Sequence, residues 1–210
     1  STTTPTIDTS PDAEVTFDGL TEVKGASADA VWARADLDLS MYSKIMLQGA
    51  GIQYRPDGET RRSSVARSST THFEVTEGQK ERLRRVVAEA FLKELGQSKK
   101  YTLVTEPGPD VLLVRGALLD VVSFVPPETV GRSEIYLRSV GEATLVIELR
   151  DSVTDASLAR IVDRRAAEKA GGDLRWSSTV SNTSEVRRLA AQWARRLRES
   201  LDNFAGWETS

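Results

Sequence analysis

The sequence predicts an α+β fold: a two-layer α/β sandwich with a mostly antiparallel sheet of about four to six strands and two long helices on one face. Three observations predict it. Two stretches carry an apolar stripe at helical spacing. A strand–helix–strand succession opens the domain, and long apolar or alternating runs fill most of the interval before the second helix. Two amphipathic helices and one sheet bury their apolar sides most simply against each other.

The first strand is Lys44-Ile-Met-Leu-Gln48, with Gly49 and Gly51 reading as a strand-end turn. A polar stretch follows from Arg55 to Thr71. The first helix opens near Thr76, where Thr76 and Gln79 have capping-box spacing. Leu83, Val86, Val87, Ala90, Phe91 and Leu95 then fall on one face, and Gly96 offers a stop. Tyr101–Thr105 is a short strand, and this first strand–helix–strand step reads as a parallel crossover. Val111–Val125 is apolar on both parities, as in a strand covered on both sides, with Gly116 marking a bend or bulge.

Glu142–Arg150 alternates, with Ala143, Leu145, Ile147 and Leu149 on one side. A second strand runs from about Leu158 to Ala167. A three-residue loop at Val153-Thr154-Asp155 would set Glu148 opposite Arg160, Thr144 opposite Arg164 and Ile147 opposite Ile161. Asp155 tolerates a left-handed conformation better than most residues. The second helix begins near Asn182, with Val186, Leu189, Ala190, Trp193, Leu197, Leu201 and Phe204 as its core stripe. Ahead of all this, residues 13–42 read as an extended wrap pinned by Val15, Phe17, Leu20, Val31, Trp32, Leu37, Leu39 and Tyr42. Residues 1–13 hold one large apolar side chain in their tail, Ile7, and read as a disordered polar tether. The division is a tether over 1–13 and a single domain over 14–210.

Composition narrows the chemistry. The 210 residues are 39% hydrophobic and carry a net charge of −3, which gives no whole-molecule attraction for nucleic acid. There is no cysteine, so disulfides, thiolate metal sites and thiol catalysis are excluded. The one histidine, His72, reads as a surface residue beside a polar loop. No cofactor motif is present: Gly49-Ala50-Gly51 lacks the third glycine of a dinucleotide fingerprint, having Tyr54 there. No catalytic or metal-binding set is assigned. Asp110, Asp120 and Asp163 border apolar stretches and read as strand-end or paired residues. Asp151 and Asp155 lack calcium-loop spacing. Arg187, Arg188, Arg195, Arg196 and Arg198 read as a solvated helix face. The binding residues favoured by position are Glu148, Arg160 and Arg164 on the polar sheet face.

Several motifs resemble a known family: Phe17-Asp-Gly-Leu20; Asp36-Leu-Asp-Leu-Ser-Met-Tyr-Ser-Lys-Ile45; Glu148-Leu-Arg-Asp-Ser-Val-Thr154 with Leu158-Ala-Arg-Ile-Val-Asp-Arg-Arg165; and Trp193-Ala-Arg-Arg-Leu-Arg-Glu-Ser-Leu-Asp202. They are similar to the proteobacterial lipoprotein family called domain of unknown function 3313. One departure is Thr154-Asp155, where that family usually has Thr-Gly. The resemblance implies a signal peptide and a lipidated cysteine upstream, hence a periplasmic lipoprotein held to the outer membrane. It carries over no catalytic residue. The expected function is a non-enzymatic cell-envelope domain with a protein-binding or assembly role. It would act through the polar sheet face or through loops 52–75 and 126–140, on an envelope protein partner and not on nucleic acid. The alternative is a periplasmic small-molecule or glycan-binding module, or a hydrolase acting on envelope material.

Overall fold

The structure, a computed structural model, describes residues 4–54, 77–122, 142–166 and 179–209. These form β1 (Thr6–Ile7), β2 (Thr21–Lys24), β3 (Ala30–Ala33), β4 (Lys44–Tyr54), α1 (Glu77–Leu95), β5 (Thr102–Val104), β6 (Val111–Val122), β7 (Glu142–Asp151), β8 (Ser157–Ala166), α2 (Thr179–Asn203) and β9 (Glu208–Thr209). The fold is α+β, with one sheet in the order β5-β4-β6-β7-β8-β3-β2-β1-β9. β4 is parallel to both β5 and β6, and β6, β7 and β8 form an antiparallel meander.

The nine strands exceed the four to six expected. The excess lies mainly in the N-terminal segment read as a wrap. β2 alternates buried and exposed positions and β3 half-buried and buried ones, over only four residues each, too short for the period to stand out in sequence. β3 pairs with β8 and carries the sheet outward through β2 and β1. The tether over 1–13 is also corrected. Ile7 is 0% exposed and pairs with Val23 on one side and Thr209 on the other. One large apolar residue between two short strands is enough to seat the segment. Val15 and Phe17, expected as anchors, are exposed, while Leu20, Leu37, Leu39 and Tyr42 are buried.

β4 does not stop at its glycines. Its ladder with β6 continues from Gly49↔Gly116 to Gly51↔Ala117 and on to Tyr54↔Val121. Ala50 is the extra residue, so the expected turn is a bulge inside a longer strand. β6 is long enough to keep the ladder going beyond it.

The β7–β8 register is the one expected: Glu148↔Arg160, Thr144↔Arg164 and Ile147↔Ile161. The route to it differs. Asp151 N donates to Ala156 O and Asp155 N to Asp151 O, closing the loop around Ser152–Asp155, one residue more than expected. The ladder then shifts from Arg150↔Ser157 to Leu149↔Ala159, leaving Leu158 as a bulge that restores the register. Asp155 is left-handed, at φ 59°. The Asp151 carboxylate accepts Val153 N and Thr154 N, each at 2.9 Å, and the Tyr42 hydroxyl at 2.7 Å. These bonds, the Thr154 amide foremost, hold its carboxyl below the usual range.

Both helical stripes enter one core with Ile45, Leu112, Val114, Leu118, Leu145, Ile147 and Leu149. α1 starts one residue after Thr76; that residue and the Gln79 side chain lie outside what is described. α2 starts earlier than Asn182, at Thr179. Gly96 follows α1, yet its N–H still bonds Leu92 O and its φ is not positive, so it is no left-handed cap. Asp202 of α2 closes that end instead, accepting the Ser98 hydroxyl and Lys99 N, while Arg198 reaches Glu94 at 3.6 Å. Among the described residues, no helix is long and apolar enough to cross a membrane.

Candidate binding surface: a clamped turn on the polar sheet face

Alternation along β7 and β8 divides the sheet. Leu145, Ile147 and Leu149 enter the core, so Glu148 and Arg150 project from the other side, and the register sets Arg160 beside them. Arg150 Nε donates to Glu148 Oε2 at 2.7 Å, and Arg160 Nε lies 3.5 Å from Glu148 Oε1. Arg150 Nη1 also reaches Asp155 O at 2.9 Å. The Glu148 carboxylate, foremost among these partners, raises the Arg150 pKa further.

A distant segment completes the row. Val15 bridges Thr21, and between them Thr16 N donates to Leu20 O at 2.8 Å and Gly19 N to Thr16 O at 3.0 Å. Gly19 has φ 84°. Phe17-Asp18-Gly19 is thus a three-residue hairpin loop whose third position must be left-handed, which explains the glycine. The Thr16 hydroxyl donates to Asp18 Oδ1 and accepts Leu20 N at 3.0 Å. Arg160 Nη2 donates to Asp18 Oδ2. The Thr16 hydroxyl first, and then Arg160, hold the Asp18 carboxyl below its usual range.

The result is a chain of charges, Asp18–Arg160–Glu148–Arg150, that anchors the loop to the sheet. The Phe17 ring stands beyond it, 98% exposed. The carboxylates and guanidiniums of this row neutralise one another, so it offers an attachment for the turn and not a poised acid or base. Glu148 and Arg160 are brought together as their positions suggested. Arg164 lies further along the same strand, and its backbone N–H donates to Asp29 Oδ2 at 2.6 Å. Sequence reasoning missed Asp18 and misread Phe17 as an anchor. The signal was the glycine at the third loop position, flanked by Val15 and Thr21.

The remaining acids have structural partners. Asp110 pairs with Lys44 at 2.9 Å where β4 and β6 begin, and Lys44 foremost lowers its carboxyl pKa. Asp163 is buried and accepts the Trp193 indole N–H at 2.8 Å. Arg187, Arg188, Arg195 and Arg196 are exposed on α2, with Arg195 paired to Glu199, as a solvated face requires; Arg198, expected among them, is instead turned against α1, between Glu94 and Asp202. Among the described residues, no group of three or more His, Cys, Asp or Glu stands together to hold a metal. His72, the Asp120 side chain, the Arg55–Arg67 stretch and loop 126–140 lie outside the described residues. So does loop 52–75 beyond Tyr54, since Ile52–Tyr54 belong to β4.

Over residues 12–197 the chain matches the model of a family described as "Protein of unknown function (DUF3313)". No curated protein sequence matches it. Among solved structures it is similar to the PelC dodecamer of Paraburkholderia phytofirmans, at 13% identity and TM-score 0.36, over 80% of this chain and 96% of that one. It is similar to protein XCC0632 of Xanthomonas campestris, of family DUF330, at 12% identity and TM-score 0.41, over 75% and 82%. It is likewise similar to the hypothetical protein CT253 of Chlamydia trachomatis, at 9% identity and TM-score 0.38, over 77% and 97%.

Proposed function

Since the chain belongs to the DUF3313 family, we propose that it is a non-catalytic binding domain of the bacterial cell envelope, carried by a periplasmic lipoprotein of the outer membrane. Its contact element is the Phe17 turn. The observation that carries this reading is a fully exposed aromatic on a loop fixed by Gly19, Thr16 and the Asp18–Arg160 ion pair. Single exposed apolar side chains are common on protein surfaces. A ring on a loop held this firmly is different, because the backbone that presents it has already lost its conformational freedom. Burying it in a partner's apolar pocket would contribute about 1.5–3 kcal/mol, offset by the ring's rotamer freedom but not by ordering of the loop. Aromatic side chains of this kind dominate interface energies.

The test is site-specific photocrosslinking in the native envelope, with the crosslinker at position 17 or, as a control, at exposed Val153. A discrete adduct from position 17 that position 153 does not give supports the reading. Identical adduct patterns, or none from position 17, overturn it. Phe17→Ser should abolish that contact and leave the urea midpoint unchanged, since the ring has almost no intramolecular packing to lose. The compartment has its own test. Palmitate labelling of the full-length gene product and its recovery with outer membranes are expected; an unlabelled protein in the cytosol overturns the location without touching the binding claim.

A further inference from the structure

β4 is longer than its outer neighbour. β5 pairs only with Lys44, Ile45 and Met46, whereas β6 follows β4 all the way to Tyr54. Among the described residues, no strand pairs with Leu47–Tyr54 on the β5 side. This stretch, Leu-Gln-Gly-Ala-Gly-Ile-Gln-Tyr, contains no charged residue and no proline. An unpaired strand margin is a template for another strand, and proteins commonly block it with charge, brevity or a cap. The other margins of this sheet show such devices. β9, at the far edge, has two residues, one of them Glu208. Where β8 runs past β3, the Asp29 carboxylate caps the Arg164 N–H. Among the described residues the outer side of β4 carries neither charge nor cap; the Ala50 bulge bends it, but only beyond Gly49.

We infer that the open margin of β4 is a self-association site, at which a second copy of this chain pairs β4 against β4, antiparallel, about a two-fold axis. A second copy fits because the stretch is its own complement. Two-fold antiparallel pairing sets Leu47–Tyr54 against itself, and with no charge in it no like charges oppose each other. The same pairing at β9 would set Glu208 near its own copy. The backbone is oriented for it. Ser43 O accepts Thr102 N from the β5 side, while Lys44 N donates to Asp110 O on the β6 side. Alternation then turns the Ile45, Leu47 and Gly49 amides toward the β5 side. β5 covers the first, and Leu47 and Gly49 are left for a partner strand. Strand pairing alone buries less than the roughly 1,200 Å² of a stable interface, so the association is weak and concentration-dependent. It does not rest on the Phe17 contact, which sits on the other arm of the sheet.

The experiment is sedimentation velocity joined to amide hydrogen exchange across a wide concentration range. The expected mass rises from one chain toward two. Over the same range the Leu47 and Gly49 amides slow at least tenfold, while Ile45, already against β5, does not change. Gly49→Pro removes an outward N–H and should stay monomeric at every concentration. Gly49→Ala keeps that N–H and should still dimerise; a Cβ at position 49 meets nothing within 4 Å. Circular dichroism checks that both variants fold, and if Gly49→Pro does not, exchange in the unaltered chain decides. A monomer at the highest concentration, exchange at Leu47 and Gly49 independent of concentration, or a dimer formed by folded Gly49→Pro overturns the proposal. An exchange-protected edge in a monomer would mean the chain covers it itself, and a foreign strand as occupant would leave the isolated protein monomeric.

Discussion

A carboxylate taken out of water is costly unless its oxygens accept hydrogen bonds. Asp163 is 5% exposed, and its Oδ2 accepts the Trp193 indole N–H at 2.8 Å with Arg196 Nη1 at 3.9 Å. The register that pairs Asp163 with Leu145 puts this charge on the core side of β8, where α2 lies. The bond therefore fixes the helix to the strand at a defined height, which apolar packing alone does loosely. Trp193→Phe keeps an aromatic ring there and removes the donor. It should lower stability by about 1.5–3 kcal/mol, the range for a hydrogen bond to a charged group. Urea unfolding measures it. In an Asp163→Asn background the same substitution should cost clearly less, because the acceptor is then neutral. Equal losses in both backgrounds would show that the indole acts only by filling space.

At the scale of elements, the β7–β8 hairpin shows how a register can be foreseen and its loop misjudged. Side-chain alternation fixes which residues face the core, so Ile147 and Ile161 had to share a side. Loop length is a weaker constraint, because one added residue can be cancelled by one bulge, here Leu158. The same compensation hid the continuation of β4 through Ala50. Both helices were legible because their stripes extend over several turns. β1, β2 and β3 were not, since two to four residues give no measurable period. The polar pair Glu148–Arg160 followed from the register, but its partner Asp18 is 142 positions away from Arg160. No local pattern announces such a contact. The turn also makes a quantitative claim. Asp155 holds φ 59°, which glycine adopts without the Cβ clash. Asp155→Gly loses an exposed ion pair with Arg150 at 3.4 Å but keeps the bond to its backbone oxygen. Net stabilisation of about 0.5 kcal/mol is expected from thermal unfolding, less than the full left-handed penalty of roughly 1 kcal/mol. A loss of stability would mean that the Arg150–Asp155 pair outweighs backbone strain.

For the whole molecule, the sheet joins the two ends of the described chain. β1 lies between β2 and β9, with Thr6 paired to Lys24 and Glu208, and Ile7 to Val23 and Thr209. Beyond α2, Gly206 turns the backbone at φ 111°, and Trp207 meets Phe204 edge-on with ring centres 5.0 Å apart. Thr6 and Ile7 therefore act as a clasp that seats the C-terminal strand, and Ile7, fully buried, is its apolar contact with the core. A disordered tether in this place could be cut or altered without consequence. A clasp cannot. Ile7→Ala should cost about 2–5 kcal/mol, as for other large-to-small changes at fully buried sites, with the lower half favoured because the strand lies at the margin of the sheet. Removal of residues 1–8 should cost at least as much, since it also strips β9 of its only described neighbour. Hydrogen exchange gives the sharper test. In the truncated protein the amides of β9 should lose protection while those of β6 and β7 keep theirs under native conditions. Unchanged stability and unchanged exchange in β9 would return the segment to the status of a tether.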